Sequence, residues 1–133
     1  MVKAKINNDD IIGATSLQVN HDRKIIRSDV PIHQIKEIIL KVLDDSKAEE
    51  ISVIDLEGKS DIAEMMIIAT GRSDRHIKST AEHVCDALKA EKISYAVEGL
   101  EHRNWVLIDT ASVLLHIFNK DNRELYNLED LWG

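Results

Sequence analysis

The chain contains one cysteine, Cys85. It can form no internal disulfide, so an oxidising compartment is not indicated. No run approaches the roughly eighteen apolar residues of a membrane span, and the N-terminus lacks the apolar stretch of a secretory signal. Basic residues are in deficit: 17 Lys and Arg stand against 24 Asp and Glu, a formal charge of −7. That balance repels a phosphate backbone and disfavours free nucleic acid, while it favours a basic protein partner, including one carried by a ribonucleoprotein particle. An organellar transit peptide would be poor in acids, but Asp9, Asp10, Asp22 and Asp29 lie in the first thirty residues, so the expected location is the bacterial cytoplasm. Walker loop, Gly-x-Gly-x-x-Gly, His-Glu-x-x-His and Gly-x-Ser-x-Gly are all missing, and there is no internal repeat.

What is present centres on Trp105–Phe118. Trp105-Val106-Leu107-Ile108-Asp109 and Ser112-Val113-Leu114-Leu115-His116-Ile117-Phe118 read as a β-hairpin around Thr110-Ala111, with Asp109 opposite Ser112 and Trp105 opposite His116. Period-two alternation gives one aliphatic face, Val106, Ile108, Val113, Leu115 and Ile117. The other face is mixed: Trp105, Leu107, Asp109, Ser112, Leu114, His116 and Phe118. An aliphatic face in the core and a mixed face toward a partner is one reading; a strand pair covered on both faces is an equal one.

Along the chain, residues 1–28 read as a flexible leader and 29–133 as one folded domain. Ser28-Asp29 before Pro31 predicts a helix start, and Ile32, Ile35, Ile38, Ile39, Val42 and Leu43 form an apolar stripe on a helix ending near Lys47. Ile51–Leu56 and Glu64–Thr70 predict strands, the second apolar enough to be buried on both faces. Ser73 can cap a helix running to about Glu91, with Cys85 on its apolar stripe as a small core residue rather than a nucleophile. Ile93–Glu98 is a third strand. In the tail, Tyr126, Leu128, Leu131 and Trp132 would pin a short helical turn or coil. The order predicts an α/β (α+β) domain with a single mixed five-stranded sheet and two main helices, in which the unit from Met65 to Val97 makes a parallel crossover and the two helices cover one face.

Of the six histidines, His76 and His83 share a helix but, seven residues apart, lie roughly 10 Å from each other, too far to chelate one ion. No metal or cofactor is expected. Thr70-Gly71-Arg72-Ser73 sits at a strand–helix junction whose N–H groups could hold an anion, as in nucleotidyltransferases. The Asp-x-Asp pair those enzymes place on a following strand is absent, so helix capping is the favoured role.

From about Val30 to Trp132 the chain resembles the ribosomal silencing factor family, RsfS or iojap-like. The resemblance rests on Asp55-Leu56-Glu57-Gly58-Lys59, Ile67-Ile68-Ala69-Thr70-Gly71, Ser73, Arg75-His76, Glu98-Gly99, Trp105–Asp109, His116-Ile117-Phe118, and on Arg123, Leu125, Tyr126, Leu128-Glu129 and Leu131-Trp132. It implies a nucleotidyltransferase-like fold without catalytic residues, and a non-enzymatic factor that binds the fourteenth protein of the large ribosomal subunit. Such a factor blocks joining of the small subunit and represses translation in starvation or stationary phase. Homodimers occur among its members. Two departures are Glu64, where the family usually has Asp, and Thr110-Ala111-Ser112, which lacks the usual Gly-Asp turn. The expected contact residues are Trp105, Leu107, Glu98, Asp109, Leu114 and His116, with Trp105 and Leu107 as anchors. Arg75, His76, Arg123 and Tyr126 fit structural ties or contacts equally. A large-subunit assembly factor is the alternative, and a nucleotide-dependent transferase using the Gly71–Ser73 turn a weaker one.

Overall fold

The computed structural model describes residues 28–132 apart from 62, 102 and 103; the leader reading of residues 1–27 lies outside it. Helix α1 (Ile32–Asp45) buries Ile35, Ile39 and Leu43, a single stripe at spacing four. Its start differs from expectation. Pro31 is the N-cap and no side chain caps the helix; Ser28 Oγ instead accepts from Val30 N at 3.0 Å.

Strand β1 (Glu49–Asp55) is followed by a turn in which Asp55 Oδ1 accepts from Glu57 N and Gly58 takes a positive φ of 80°. β2 (Met65–Thr70) is buried almost throughout, as its unbroken apolar run requires. Ser73 caps α2 (Asp74–Ala90) by accepting from His76 N at 3.1 Å. The buried stripe of α2 is Ile77, Thr80, Ala81, Val84, Cys85 and Leu88. Burial pushes the Cys85 thiol up to about 11, which keeps it protonated and unreactive. β3 (Ala96–Glu98), β4 (Trp105–Asp109), β5 (Val113–Phe118), α3 (Lys120–Tyr126) and α4 (Leu128–Trp132) complete the described chain.

The five strands form one sheet in the order β1-β2-β5-β4-β3. β2 pairs parallel with β5, and every other neighbour is antiparallel. β2 and β3 therefore run parallel but are not adjacent: the hairpin β4–β5 is inserted between them, because β5 presents a longer apolar edge to β2 than the three-residue β3 can.

The hairpin register is shifted by two residues from the one the sequence predicts. Trp105 faces Phe118, Leu107 faces His116 and Asp109 faces Leu114. The cause is the turn. Thr110 N donates to Val113 O, which moves the two-residue loop to Ala111-Ser112; Ala111 takes φ 76°, and Asp109 Oδ1 holds its N–H at 2.7 Å. A shift of two preserves the faces, so the aliphatic and mixed sets are as read.

The mixed face is covered, the second of the two readings its pattern allowed, although the two main helices account for cover on one face only. Behind the aliphatic face lies a core shared with α1 and α2, including Ile67, Val106, Ile108, Leu115 and Ile117. On the mixed face, Ile54, Leu56, Met66, Ile68, Leu107, Leu114 and Phe118 pack with Leu128 and Trp132 of the tail. Two helices cannot span a five-stranded sheet on both sides. The tail supplies the second layer, α3 packing on β5 and α4 on β1.

Candidate partner-binding surface

Covering the mixed face changes the standing of four of the six expected contact residues. Leu107, Leu114, Asp109 and His116 are all buried, so none of them forms an accessible surface. Asp109 spends its carboxylate on the hairpin turn, and burial raises its pKa; it is a turn residue, not an exposed acid awaiting a basic partner. Trp105 and Glu98 remain half-buried, at the β3–β4 side of this face.

Trp105 is held from three directions. Its indole Nε1–H donates to His116 Nδ1 at 2.9 Å, and its ring lies 4.9 Å from that of Phe118 and 4.6 Å from that of Tyr126, both tilted. His116 stacks on Phe118 with an interplanar angle of 7°. It is 1% exposed, and desolvation pushes its pKa down to about 3, so the ring is neutral. Because Nδ1 accepts, the proton sits on Nε2, which is buried without a partner. Glu98 carries a second unsatisfied group: its Oε2 is cut off from solvent and has no hydrogen-bond partner. Native proteins leave few such atoms.

The remaining expected residues divide. Arg75 is exposed at the start of α2. His76 is a tie: its Nδ1 accepts from Arg72 N at 3.0 Å and its Nε2 meets Ser46 O at 2.6 Å, joining the start of α2 to the end of α1. Arg123, 8% exposed, locks the tail to the sheet. Its guanidinium donates to Thr70 Oγ1 at 2.8 Å, to Ser52 Oγ at 3.1 Å, and to both carboxylate oxygens of Glu129 at 3.0 and 2.9 Å. That pairing lowers the Glu129 pKa. Tyr126 buttresses Trp105. Ser52 and Thr70 were not foreseen as partners of Arg123, since nothing in local spacing links residues 71 and 53 positions apart; Glu129, six residues on, is brought round by the turn between α3 and α4.

The Gly71 turn offers little to an anion. Gly71 N donates to Phe118 O, Arg72 N to His76 Nδ1 and His76 N to Ser73 Oγ. A Cβ on Gly71 would meet Ile77 Cγ1 at 2.3 Å, so close strand–helix packing accounts for the glycine. The cleft of about 490 Å³ beside it is lined by Glu49, Glu50, Asp74 and Asp121 as well as Arg72 and Lys120, a balance that opposes a phosphate. Among the described residues no group of three or more His, Cys, Asp and Glu could hold a metal ion, and no helix is long and apolar enough to cross a membrane.

The sequence model described as "Ribosomal silencing factor during starvation" matches residues 30–133. The chain is 42% identical over 102 residues to the ribosomal silencing factor RsfS of Zymomonas mobilis, covering 73% of this chain and 77% of that one. The crystal structure of a Chromobacterium violaceum protein superposes with a TM-score of 0.76 at 32% identity, covering 78% of this chain and 88% of that one. A more distant mouse relative, named for mitochondrial assembly of the ribosomal large subunit, is 26% identical over 100 residues, which span 72% of this chain and 44% of that protein.

Proposed function

Because this chain belongs to the ribosomal silencing factor family, we propose that it docks on the large ribosomal subunit through that particle's fourteenth protein, in the bacterial cytoplasm. There it blocks joining of the small subunit and represses translation in starvation or stationary phase. The observation that carries this reading is the match of the family model across nearly the whole described domain. The surface we assign to docking is the Trp105–Glu98 corner, with Tyr126 beside it. Leu107, Leu114 and His116 act from beneath, by holding Trp105 in place. An acidic chain carrying a rigid, half-exposed aromatic suits a basic protein surface, since buried aromatics anchor interfaces and complementary charge steers encounter. A homodimer, which the family resemblance implies, is the other assembly we propose for the chain.

The chain acts in this reading as a binding module, not an enzyme. The acidic lining of the Gly71 cleft and the internal use of that turn's N–H groups argue against a nucleotide-dependent transferase. A second reading, large-subunit assembly, draws on the name of the mouse relative. Cosedimentation with purified large subunits, alone and with small subunits added across a salt series, tests the proposal. Silencing requires binding to large subunits and loss of joined ribosomes. Binding without that loss favours assembly, and no binding at low salt refutes both.

A further inference from the structure

We infer that the corner between Glu98 and Trp105 is a receptor for one arginine side chain of the basic partner, so that recognition there is guanidinium-specific rather than merely electrostatic; this rests on the docking reading above. The argument begins with the sheet. Glu98 pairs with Leu107, two residues from Trp105 on the same strand and therefore on the same face. Glu98 and Trp105 are diagonal neighbours, whose Cβ atoms sit roughly 7 Å apart in such an arrangement. At that spacing one planar group can touch both side chains. Gly99 draws the two segments together: a Cβ there would lie 2.2 Å from Trp105 O, and its φ is +95°, so no side chain intrudes at this point.

The two flanking groups have complementary needs. The Glu98 carboxylate is half-buried and its Oε2 lacks any partner. Among the described residues no cation pairs with it, although burial makes an unpaired carboxylate costly. Trp105 cannot meet that need, because its only donor, Nε1–H, is committed to His116. The ring instead packs against Phe118 and Tyr126, whose own rings lie 6.2 Å apart, and this fixes it as a rigid platform. Cations are attracted to the face of tryptophan more than to any other ring. Only arginine can satisfy both groups at once. Its guanidinium is a flat fork that donates two parallel hydrogen bonds to a carboxylate while its plane stacks on an aromatic ring, whereas the lysine ammonium is a hydrated point charge that does one or the other. The terminal torsion of Glu98 is broad, so the enclosed oxygen can be turned toward the entering guanidinium.

Two measurements on the full chain test this. In the first, wild type and E98Q are compared for binding to purified large subunits, with the indole N–H resonance of Trp105 recorded to verify that its bond to His116 is intact. E98Q, nearly isosteric, is expected to bind about tenfold more weakly, as for loss of a charge-assisted hydrogen bond. In the second, the Trp105 indole resonance is followed while N-acetyl-arginine amide or N-acetyl-lysine amide is added to the isolated protein. The arginine compound is expected to shift the signal in wild type but not in E98Q, and the lysine compound to shift it far less. Unchanged large-subunit binding by E98Q overturns the proposal, as do equal shifts with the two compounds. If wild type fails to bind large subunits, the docking reading falls and the arginine titration alone decides the receptor: a Glu98-dependent shift upholds it and none removes it. Should E98Q not fold, the arginine-against-lysine comparison on wild type decides in the same way.

Discussion

The two faces of the sheet are built to different standards. Against α1 and α2 the buried set is mainly aliphatic, with Ile35, Ile39, Leu43, Ile67, Ile108 and Leu115 packed together; no buried charge interrupts it among the described residues, and Thr80 Oγ1 on the α2 stripe is its unsatisfied polar atom. Beneath α3 and α4 the cover is thinner, two short helices of seven and five residues. The layer holds a buried histidine, a buried arginine and the unsatisfied atoms His116 Nε2, Glu98 Oε2 and Trp132 Nε1. Unsatisfied polar groups lower stability, and natural proteins break local rules of consistency most often where they act. The first face is scaffold. The second, in the docking reading proposed above, trades stability for a surface that meets a partner.

The sharpest way to break this comparison is to damage each face in turn. Ile67→Ala, in the centre of β2, removes a fully buried side chain and should cost about 3–4 kcal/mol, lowering the denaturation midpoint of the whole domain as one transition. Arg123→Ala acts on the other face. It leaves Thr70 and Ser52 without their donor and Glu129 without its cation. Because the Glu129 side chain is 36% exposed, water offsets part of the loss, and about 2–3 kcal/mol is expected. Hydrogen exchange should then rise in α3 and α4 ahead of α1 and α2. Uniform loosening of both layers would show that the faces are not separable.

This asymmetry sets what could be read in the residues beforehand. The aliphatic face was legible because period-two alternation in β4 and β5 and the stripes at spacing three and four in α1 and α2 all record the same core. The two-residue slip of the hairpin was not, since faces are unchanged by it and only the positive φ of Ala111 distinguishes the registers. Alternation left the mixed face undecided between an open and a covered reading. Tyr126, Leu128, Leu131 and Trp132 marked a tail that wants burial, but its destination depends on the Arg123 bonds to Ser52 and Thr70, contacts more than fifty residues apart in the chain. Sequence spacing carries no trace of such long-range partners. The candidate site was therefore half visible: Trp105 and Glu98 stand at the surface, while Leu107, Leu114, Asp109 and His116 lie under it.

The buried histidine also gives the second face a pH dependence on the acid side. With the His116 pKa depressed from 6.5 to about 3, the unfolded chain takes up a proton below pH 6.5 that the folded chain refuses. Stability is whole above pH 6.5 and falls with pH below it, by up to about 1.4 kcal/mol per pH unit over the intervening range. Chemical denaturation at pH 6.5, 5.5 and 5.0 should show that slope in wild type. In H116Q, which keeps an acceptor for Trp105, the slope should shrink by the His116 share. An unchanged slope would assign the acid sensitivity to other groups.

The smallest effect on the fold should accompany the largest on binding. Trp105 is half-buried at the sheet margin, so Trp105→Ala forgoes part of a ring contact with Phe118 and Tyr126 and one hydrogen bond. A stability loss of about 1–2 kcal/mol follows, less than Ile67→Ala despite the larger atom count removed. Aromatic anchors, however, carry a disproportionate share of interface energy, commonly about 2 kcal/mol or more each, so affinity for large ribosomal subunits should fall at least thirtyfold in protein that still unfolds cooperatively. A variant that is folded and binds as wild type would move the docking surface elsewhere. One that loses stability as heavily as Ile67→Ala would make Trp105 part of the scaffold and remove the difference between the two faces. The ratio of the two losses, measured on the same preparation, therefore tests the division of labour directly, because a purely structural tryptophan must lose affinity only in proportion to the fraction of chain unfolded.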